Sequence, residues 1–402
     1  MRVLVVAQDL RMSGTSEGIV SRSFIGKLRN VYPKAYIEVL HLKNHRKNVR
    51  EDLLPIDSYN EIVVDKSLPK YIVLINKFYW RLSGISLNEL WIEKQYGKKL
   101  NEIVTSDFDL IFLRSSGTQY ELILGALFAP AVLKRAVINF HDPFPIFWDT
   151  GSEGNIDNLE LQRFKRMQKV VRLASSCISP SNLLSQDLEF LYGTIKKFHV
   201  VPHQFEMKVF DLPNLKLIRK KNKKISISYH GAVQFKRNID VLLDAYIKLI
   251  EHNLFFKDNS EFVLRIRGNH TQRLFEKYDK YENIKILKTL PFSESLEEQK
   301  SESDIVVILE NNAPHSNILP GKTPVMAYLN KHLLIISPKR SELRGLASEF
   351  NIASYSNQYE IKNKLKELIE RVVLSDSGGN LFKNYFSDAE FFKKIEEIRK
   401  TS

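Results

Sequence analysis

Ile225-Ser-Ile-Ser-Tyr229-His-Gly231-Ala-Val-Gln-Phe-Lys236-Arg237-Asn238-Ile239-Asp240 is the stretch that decides how this chain folds. An apolar run, Ile225–Tyr229, meets a glycine and two cations, and a helical apolar period then continues from Ile239 to Glu251. That order predicts a strand, a tight loop and a helix. The pattern returns further on. A strand over Asp304–Leu309 leads through Glu310 to His315-Ser316-Asn317-Ile-Leu-Pro320-Gly321-Lys322-Thr323, which opens a helix running to Leu329. Where a strand turns into a helix, free backbone N–H groups and the positive helix end favour an anion, and glycine lets it come close. Lys236 and Arg237 in a first helical turn oppose the helix dipole, which a bound anion relieves. Two such loops in one sheet point to a diphosphate, and so to a nucleotide-linked substrate. Gly321-Lys322-Thr323 is not an ATP-binding P-loop, because Ser316 stands where that motif needs glycine and Pro324 follows.

Outward from these loops the whole chain alternates strand and helix. In the first half, strands are expected at Arg2–Ala7, Ala35–Leu42, Glu61–Val64, Asp109–Leu113, Ala136–Phe140, Ser176–Ile178 and Phe198–Val201. Helices are expected at Glu17–Arg29, Gln119–Leu133, Asp157–Leu173 and Ser181–Leu191, the last capped by Ser181. After the segment 205–224, with Pro213 and a lysine cluster, the alternation restarts and continues to a last helix at Asp388–Lys400. Such alternation implies two mostly parallel, doubly wound α/β sheets, each covered on both faces and facing one another across a cleft. The division expected is residues 1–204, a basic linker 205–224, a second domain 225–385, and a helix over 386–402 that crosses back to the first domain.

The chain has 402 residues, 43% of them apolar and 27% charged, which suits two soluble domains. One cysteine, Cys177, excludes an internal disulfide and fits a reducing compartment. Gln8 and Asp9 interrupt the apolar start, so no secretory leader is expected. The apolar run Leu122–Leu133 contains Pro130 and is too short to span a bilayer. The expectation is therefore a cytoplasmic protein, at most peripheral at the inner face of the membrane. The net charge of +13 invites anionic partners. Lys216, Arg219, Lys220, Lys221, Lys223 and Lys224 cluster, and Arg22, Lys27 and Arg29 mark an early helix. No nucleic-acid recognition motif accompanies them, so no nucleic acid is expected. Lys70-Tyr-Ile-Val-Leu-Ile-Asn-Lys77-Phe-Tyr-Trp-Arg81 reads either as a buried helix or as a face resting on lipid. Pro143-Phe144-Pro145-Ile146-Phe147-Trp148 reads as an apolar plug beneath a loop or as a sugar-stacking surface.

In order along the chain, six segments resemble the GT-B glycosyltransferases, and in particular the retaining group called family 4. Val3-Leu4-Val5-Val6 leading to Gly14-Thr15-Ser16-Glu17-Gly18 resembles that family's first strand and glycine loop. Asn139-Phe140-His141-Asp142-Pro143 is similar to its mid-domain strand end, Cys177–Ser181 to its serine-capped helix, and Val200-Val201-Pro202-His203 to the exit from its first domain. Tyr229-His230-Gly231 through Asp240 is similar to its diphosphate loop, and Ser303–Val307 with Ile318-Leu-Pro-Gly-Lys322 to its nucleotide-binding segment.

The resemblance implies two Rossmann-like domains, the first binding the acceptor and the second the nucleotide-diphosphate sugar. The sugar would pass with retention to a glycan or lipid-linked acceptor, in surface polysaccharide assembly. It implies catalytic roles for His141, Asp142, Lys236 and Arg237. Donor contacts fall to Gly231, Lys236, Arg237, Glu310, Ser316, Asn317, Gly321, Lys322 and Thr323, and an acceptor loop to Gly14, Thr15 and Ser16. No Asp-x-Asp motif ends a strand, so neither a metal nor another cofactor is expected. The family's paired glutamates are replaced by Leu319 and Ala327, with Glu310 the nearby acid. An epimerase or phosphorylase of the same fold, or a non-catalytic sugar-nucleotide or nucleic-acid binder, is the alternative.

Overall fold

The computed structural model describes residues 1–43, 45, 47, 49–145, 156–193, 196–212, 219–233, 237–268, 271–375, 378–379, 381–382 and 384–401. The chain divides into two compact units, Met1–Phe210 with Phe386–Ser402, and Asp211–Tyr385.

In unit 1 the strands are β1 (Arg2–Ala7), β2 (Tyr36–Lys43), β3 (Ser58–Val63), β4 (Leu110–Arg114), β5 (Ala136–Asn139), β6 (Ser176–Ser179) and β7 (Phe198–Val200). They form one parallel sheet in the order β3-β2-β1-β4-β5-β6-β7. The helices are α1 (Ser16–Val31), α2 (Lys70–Ser83), α3 (Leu87–Leu100), α4 (Glu121–Gly125), α5 (Pro130–Leu133), α6 (Asn158–Leu173) and α7 (Asn182–Tyr192). β1, β4 and β5 are near-continuous apolar runs, buried as sheet centres covered on both faces must be. Ser181 caps α7 by accepting from Leu184 N at 3.2 Å.

Unit 2 repeats the plan with β8 (Ile225–Ala232), β9 (Ser260–Arg267), β10 (Ile284–Lys288), β11 (Ile305–Leu309), β13 (His332–Ser337) and β15 (Ile352–Ser354), ordered β10-β9-β8-β11-β13-β15 and parallel throughout. A separate two-stranded pairing joins β12 (His315–Ser316) to β14 (Arg340–Ser341). The helices are α8 (Ile239–Glu251), α9 (Leu254–Asn259), α10 (Thr271–Tyr278), α11 (Phe292–Glu302), α12 (Thr323–Leu329), α13 (Glu342–Leu346) and α14 (Gln358–Val373).

The last helix, α15 (Asp388–Thr401), belongs to unit 1. Phe391 meets Phe24 edge-on at 5.5 Å, Tyr32 donates to Glu396 at 2.7 Å, and Lys27 is ion-paired to Asp388. In both units the strand order reverses once, between β1 and β4 and between β8 and β11. Ligands of open α/β sheets bind beyond the strand ends at such a reversal.

Several elements differ from their reading in sequence. The helix expected over 119–133 is broken into α4, a 3-10 turn over Ala126–Phe128 and α5, because Pro130 can only start a new helical segment. Of the two readings of the segment 70–81, a buried helix is not what forms, since none of the residues of α2 is buried. The early basic helix is not a free cationic surface. Arg22 is fully buried, Lys27 holds Asp388, and Arg29 donates to Asp57 at 2.5 Å. In the lysine cluster Arg219 pairs with Glu261 at 2.6 Å and Lys221 with Asp304 at 2.9 Å, while Lys216 lies outside the described residues.

Candidate functional site

Each unit gathers polar groups at its own strand reversal. In unit 2 the gathering starts with Gly231 near the end of β8. Lys322, one residue before α12, extends its ammonium across this glycine. A β-carbon built at Gly231 would lie 2.5 Å from Lys322 Nζ, so no other residue fits without displacing the lysine. The ammonium donates to the His230 carbonyl at 2.6 Å and lies 4.5 Å from the Tyr229 ring centre. Enclosure, and then the Arg237 charge, push its pKa down to about 7. Arg237 stands just ahead of α8, whose N-cap Asn238 accepts from Asp240 N at 3.0 Å. Its guanidinium donates to Ala232 O and to Asn311 Oδ1, each at 3.3 Å. Neither Lys322 nor Arg237 is ion-paired with a carboxylate among the described residues. Lys236 lies outside them.

Glu310 follows β11 directly and is 1% exposed. Its Oε2 accepts from Ser341 Oγ at 2.6 Å, while Oε1 has no hydrogen-bond partner among the described residues. Burial pushes the carboxyl up to about 7, against the pull of nearby serines and of Arg237. The Tyr355 hydroxyl fixes the strand end by donating to the Glu310 carbonyl. Ser316 is buried in the short pairing opposite Ser341, and Asn317 is 1% exposed. Gly321 lies in the turn before α12, which Thr323 N closes by donating to Pro320 O at 2.9 Å. Thr323 is buried, with no partner for its hydroxyl among the described residues. Helix α12 is only seven residues long, so charge here comes from side chains more than from a helix dipole.

Sequence reading did not find Tyr229, Asn311, Ser341 or Tyr355. Tyr229 hides in an apolar strand pattern. Asn311 has the one legible signal, standing next to an acid just past a strand. Ser341 and Tyr355 reach Glu310 from elements distant in sequence, which no local pattern marks.

In unit 1 the loop after β1 is organised by Asp9, which is 1% exposed. Arg11 grips it through Nη2 at 2.6 Å and Nε at 3.0 Å, and Arg11 N donates to it at 3.0 Å. Burial alone raises this carboxyl, but the Arg11 contacts outweigh it and hold the pKa below the usual range. Gly14 has φ +89°, a left-handed conformation that suits glycine. Thr15 is the N-cap residue of α1, and Ser16 Oγ donates to Glu17 at 2.9 Å.

His141 lies two residues past β5 and is 3% exposed. It stacks on His203 with centroids 5.7 Å apart and planes 15° off parallel. Burial, then Arg114 and His203, hold its pKa well below normal, so the ring is neutral at pH 7. Its Nε2 has no partner among the described residues. Asp142 is held by its backbone carbonyl, which accepts from the Tyr120 hydroxyl. The structure thus brings His141 together with Arg114 and His203, sets Asp142 against Tyr120, and places Thr15 near Asp9. The apolar loop 143–148 is described only as far as Pro145, and its Phe144 is buried against Tyr120 at 4.7 Å.

No family model matches the chain, and neither does any curated protein. Solved structures do. Over the full length of both chains, it is similar to sucrose-phosphate synthase of Thermosynechococcus elongatus (TM-score 0.65, 10% identity). It is similar over the same extent to Anabaena HepE in complex with UDP (TM-score 0.62, 12% identity). The Neisseria meningitidis UDP-GlcNAc 2-epimerase bound to UDP-GlcNAc is likewise matched over both full chains (TM-score 0.58, 13% identity). At these identities the likeness shows the fold, which is GT-B, with two Rossmann-like domains.

Proposed function

We propose that this chain is a glycosyltransferase whose unit 2 binds a nucleoside-diphosphate sugar. The observation that carries the reading is the group at the β8/β11 reversal: Lys322 across Gly231, Arg237 beside it, and Glu310 with one oxygen unused. Two cations with no carboxylate partner among the described residues suit a diphosphate, and a buried carboxyl nearby suits a ribose hydroxyl. UDP or UDP-GlcNAc in solved structures of this fold supports that ligand class.

In the transfer, the acceptor's hydroxyl oxygen bonds to the anomeric carbon. The bond from that carbon to the diphosphate breaks, its electron pair leaves on the diphosphate, and the hydroxyl proton passes to the departing oxygen. Lys322 and Arg237, with Lys236, hold the charge that builds there, which requires no metal. Ser316, Asn317, Gly321 and Thr323 line the donor side. His141, neutral and with Nε2 unused, offers a hydrogen bond to a sugar hydroxyl, and Asp142 and the Gly14–Ser16 loop serve the acceptor. Retention at the anomeric carbon, a glycan or lipid-linked acceptor, and a place in surface polysaccharide assembly at the inner membrane face complete the proposal.

An epimerase is the second reading, favoured by the full-length likeness to UDP-GlcNAc 2-epimerase. Incubation with a panel of nucleotide sugars separates the two. Release of nucleoside diphosphate in step with glycoside formation supports transfer. Interconversion at the sugar's second carbon identifies an epimerase, and binding without turnover identifies a non-catalytic protein. Lys322→Met should abolish whichever reaction is seen.

A further inference from the structure

Helix α2 turns an apolar stripe to solvent. Tyr71, Leu74, Ile75, Phe78 and Leu82 recur at helical spacing along one face, with exposures from 53% at Ile75 to 89% at Leu82. The opposite side is fixed to the body of unit 1. Asn76 Oδ1 accepts from Leu87 N at 2.7 Å, and Gly84, in the left-handed conformation, closes the helix by donating to Trp80 O at 2.8 Å. A β-carbon at Gly84 would lie 2.8 Å from Asn158, so the turn after α2 is pressed onto the start of α6. The stripe is therefore held outward on a rigid helix about 21 Å long.

Its charge says what covers it. Lys70, Lys77 and Arg81 lie together along one flank of the stripe at helical spacing, and the helix has no acidic residue. A second copy of the helix would set the same cations against each other. Tyr79, 40% exposed beside the stripe, adds an amphipathic ring of the kind that settles at a lipid–water boundary. The whole chain carries +13, a charge that steers it toward anionic surfaces.

We propose that α2 docks unit 1 on an anionic lipid surface, with Tyr71, Leu74, Ile75, Phe78 and Leu82 entering the interface and Lys70, Lys77 and Arg81 on lipid phosphates. This surface stands on unit 1 alone. Only the delivery of a lipid-borne acceptor to the enzyme rests on the function proposed above.

The test is flotation of the full chain with phosphatidylcholine vesicles, with and without phosphatidylglycerol, in the absence of nucleotide. The wild type should float with the anionic vesicles and at least about tenfold less with neutral ones. Phe78→Asp with Leu82→Asp should lower anionic binding about tenfold or more, as should Lys77→Glu with Arg81→Glu. Both pairs are exposed, so folding should be unchanged by circular dichroism. Phe190→Asp, at an 80% exposed position on α7, is the matched control and should float as the wild type does. Failure of the wild type to float with anionic vesicles, or equal flotation of the Asp pair, overturns the proposal. So does a concentration-dependent dimer in sedimentation velocity that the Asp pair abolishes. Because nucleotide is absent, loss of the sugar-nucleotide reading leaves the vesicle result standing, and the reverse also holds.

Discussion

Both units bury cations near the strand reversal, and they use them differently. In unit 1, Arg22 donates to the carbonyls of Val209 at 2.7 Å, Leu10 at 3.3 Å, Val49 at 2.5 Å and Arg50 at 3.0 Å. Arg114 is likewise enclosed, donating to Ser21 at 3.2 Å and Asn139 at 3.3 Å and lying 4.2 Å over the Phe24 ring. In unit 2, Lys322 spends one of its three donors on a single carbonyl at the end of β8, and the others have no partner among the described residues. A buried cation whose donors are filled, as those of Arg22 are, ties loops together. One with donors unfilled among the described residues, as at Lys322 with Arg237 close by, is what the proposed diphosphate site rests on.

Removing a scaffold cation should have the largest effect on stability. Arg22→Ala leaves several buried carbonyls without a donor and should cost about 2–4 kcal/mol. Chemical denaturation measures this, and nucleotide affinity should not change. Removing a ligand-ready cation should do the opposite. Lys322→Met should weaken nucleoside-diphosphate binding about 100-fold, or ~2.7 kcal/mol, with little loss of stability. If Lys322→Met unfolds the protein as Arg22→Ala does, the distinction between the two sites is gone.

Glu310 makes the stability of unit 2 depend on pH. Its folded pKa, about 7, lies above the ordinary 4.5, so ionisation opposes folding. That cost grows as pH rises from 4.5 through 7 and is complete above it. Glu310→Gln should therefore be more stable than wild type by about 1–3 kcal/mol at pH 8, and no more stable below pH 4. It should also bind nucleotide less well. Denaturation curves at the two pH values check the sign. The smallest effect belongs to an exposed pair. Arg273→Ala breaks a 2.6 Å contact with Asp240 on the surface of unit 2 and should change stability by less than about 1 kcal/mol.

The sheets were legible because their strands are apolar runs separated by helical periods, as at Arg2–Ala7 and Ile239–Glu251. Two of the shortest elements, His315–Ser316 and Ile352–Ser354, were not, since little period fits in so short a stretch. Gly231 and Lys322 could be singled out by their loop chemistry, but the ammonium crossing the glycine is a tertiary fact. The fate of Arg22 could not be read either. A cation at helical spacing looks solvated until the loops that surround it are known. Helix α2 failed for the converse reason: an apolar face shows period but not whether anything covers it.

The most direct measurement is isothermal titration of UDP and other nucleoside diphosphates at about pH 8, in two buffers of different ionisation enthalpy. Lys322, with a pKa near 7, is largely neutral there, and a bound diphosphate should return its proton. Binding with proton uptake is expected in the wild type, weak binding without uptake in Lys322→Met, and affinity that falls as pH rises above 7. Binding of equal strength and equal proton balance in both proteins, or no binding by the wild type to any nucleotide, would rule out Lys322 as a diphosphate ligand.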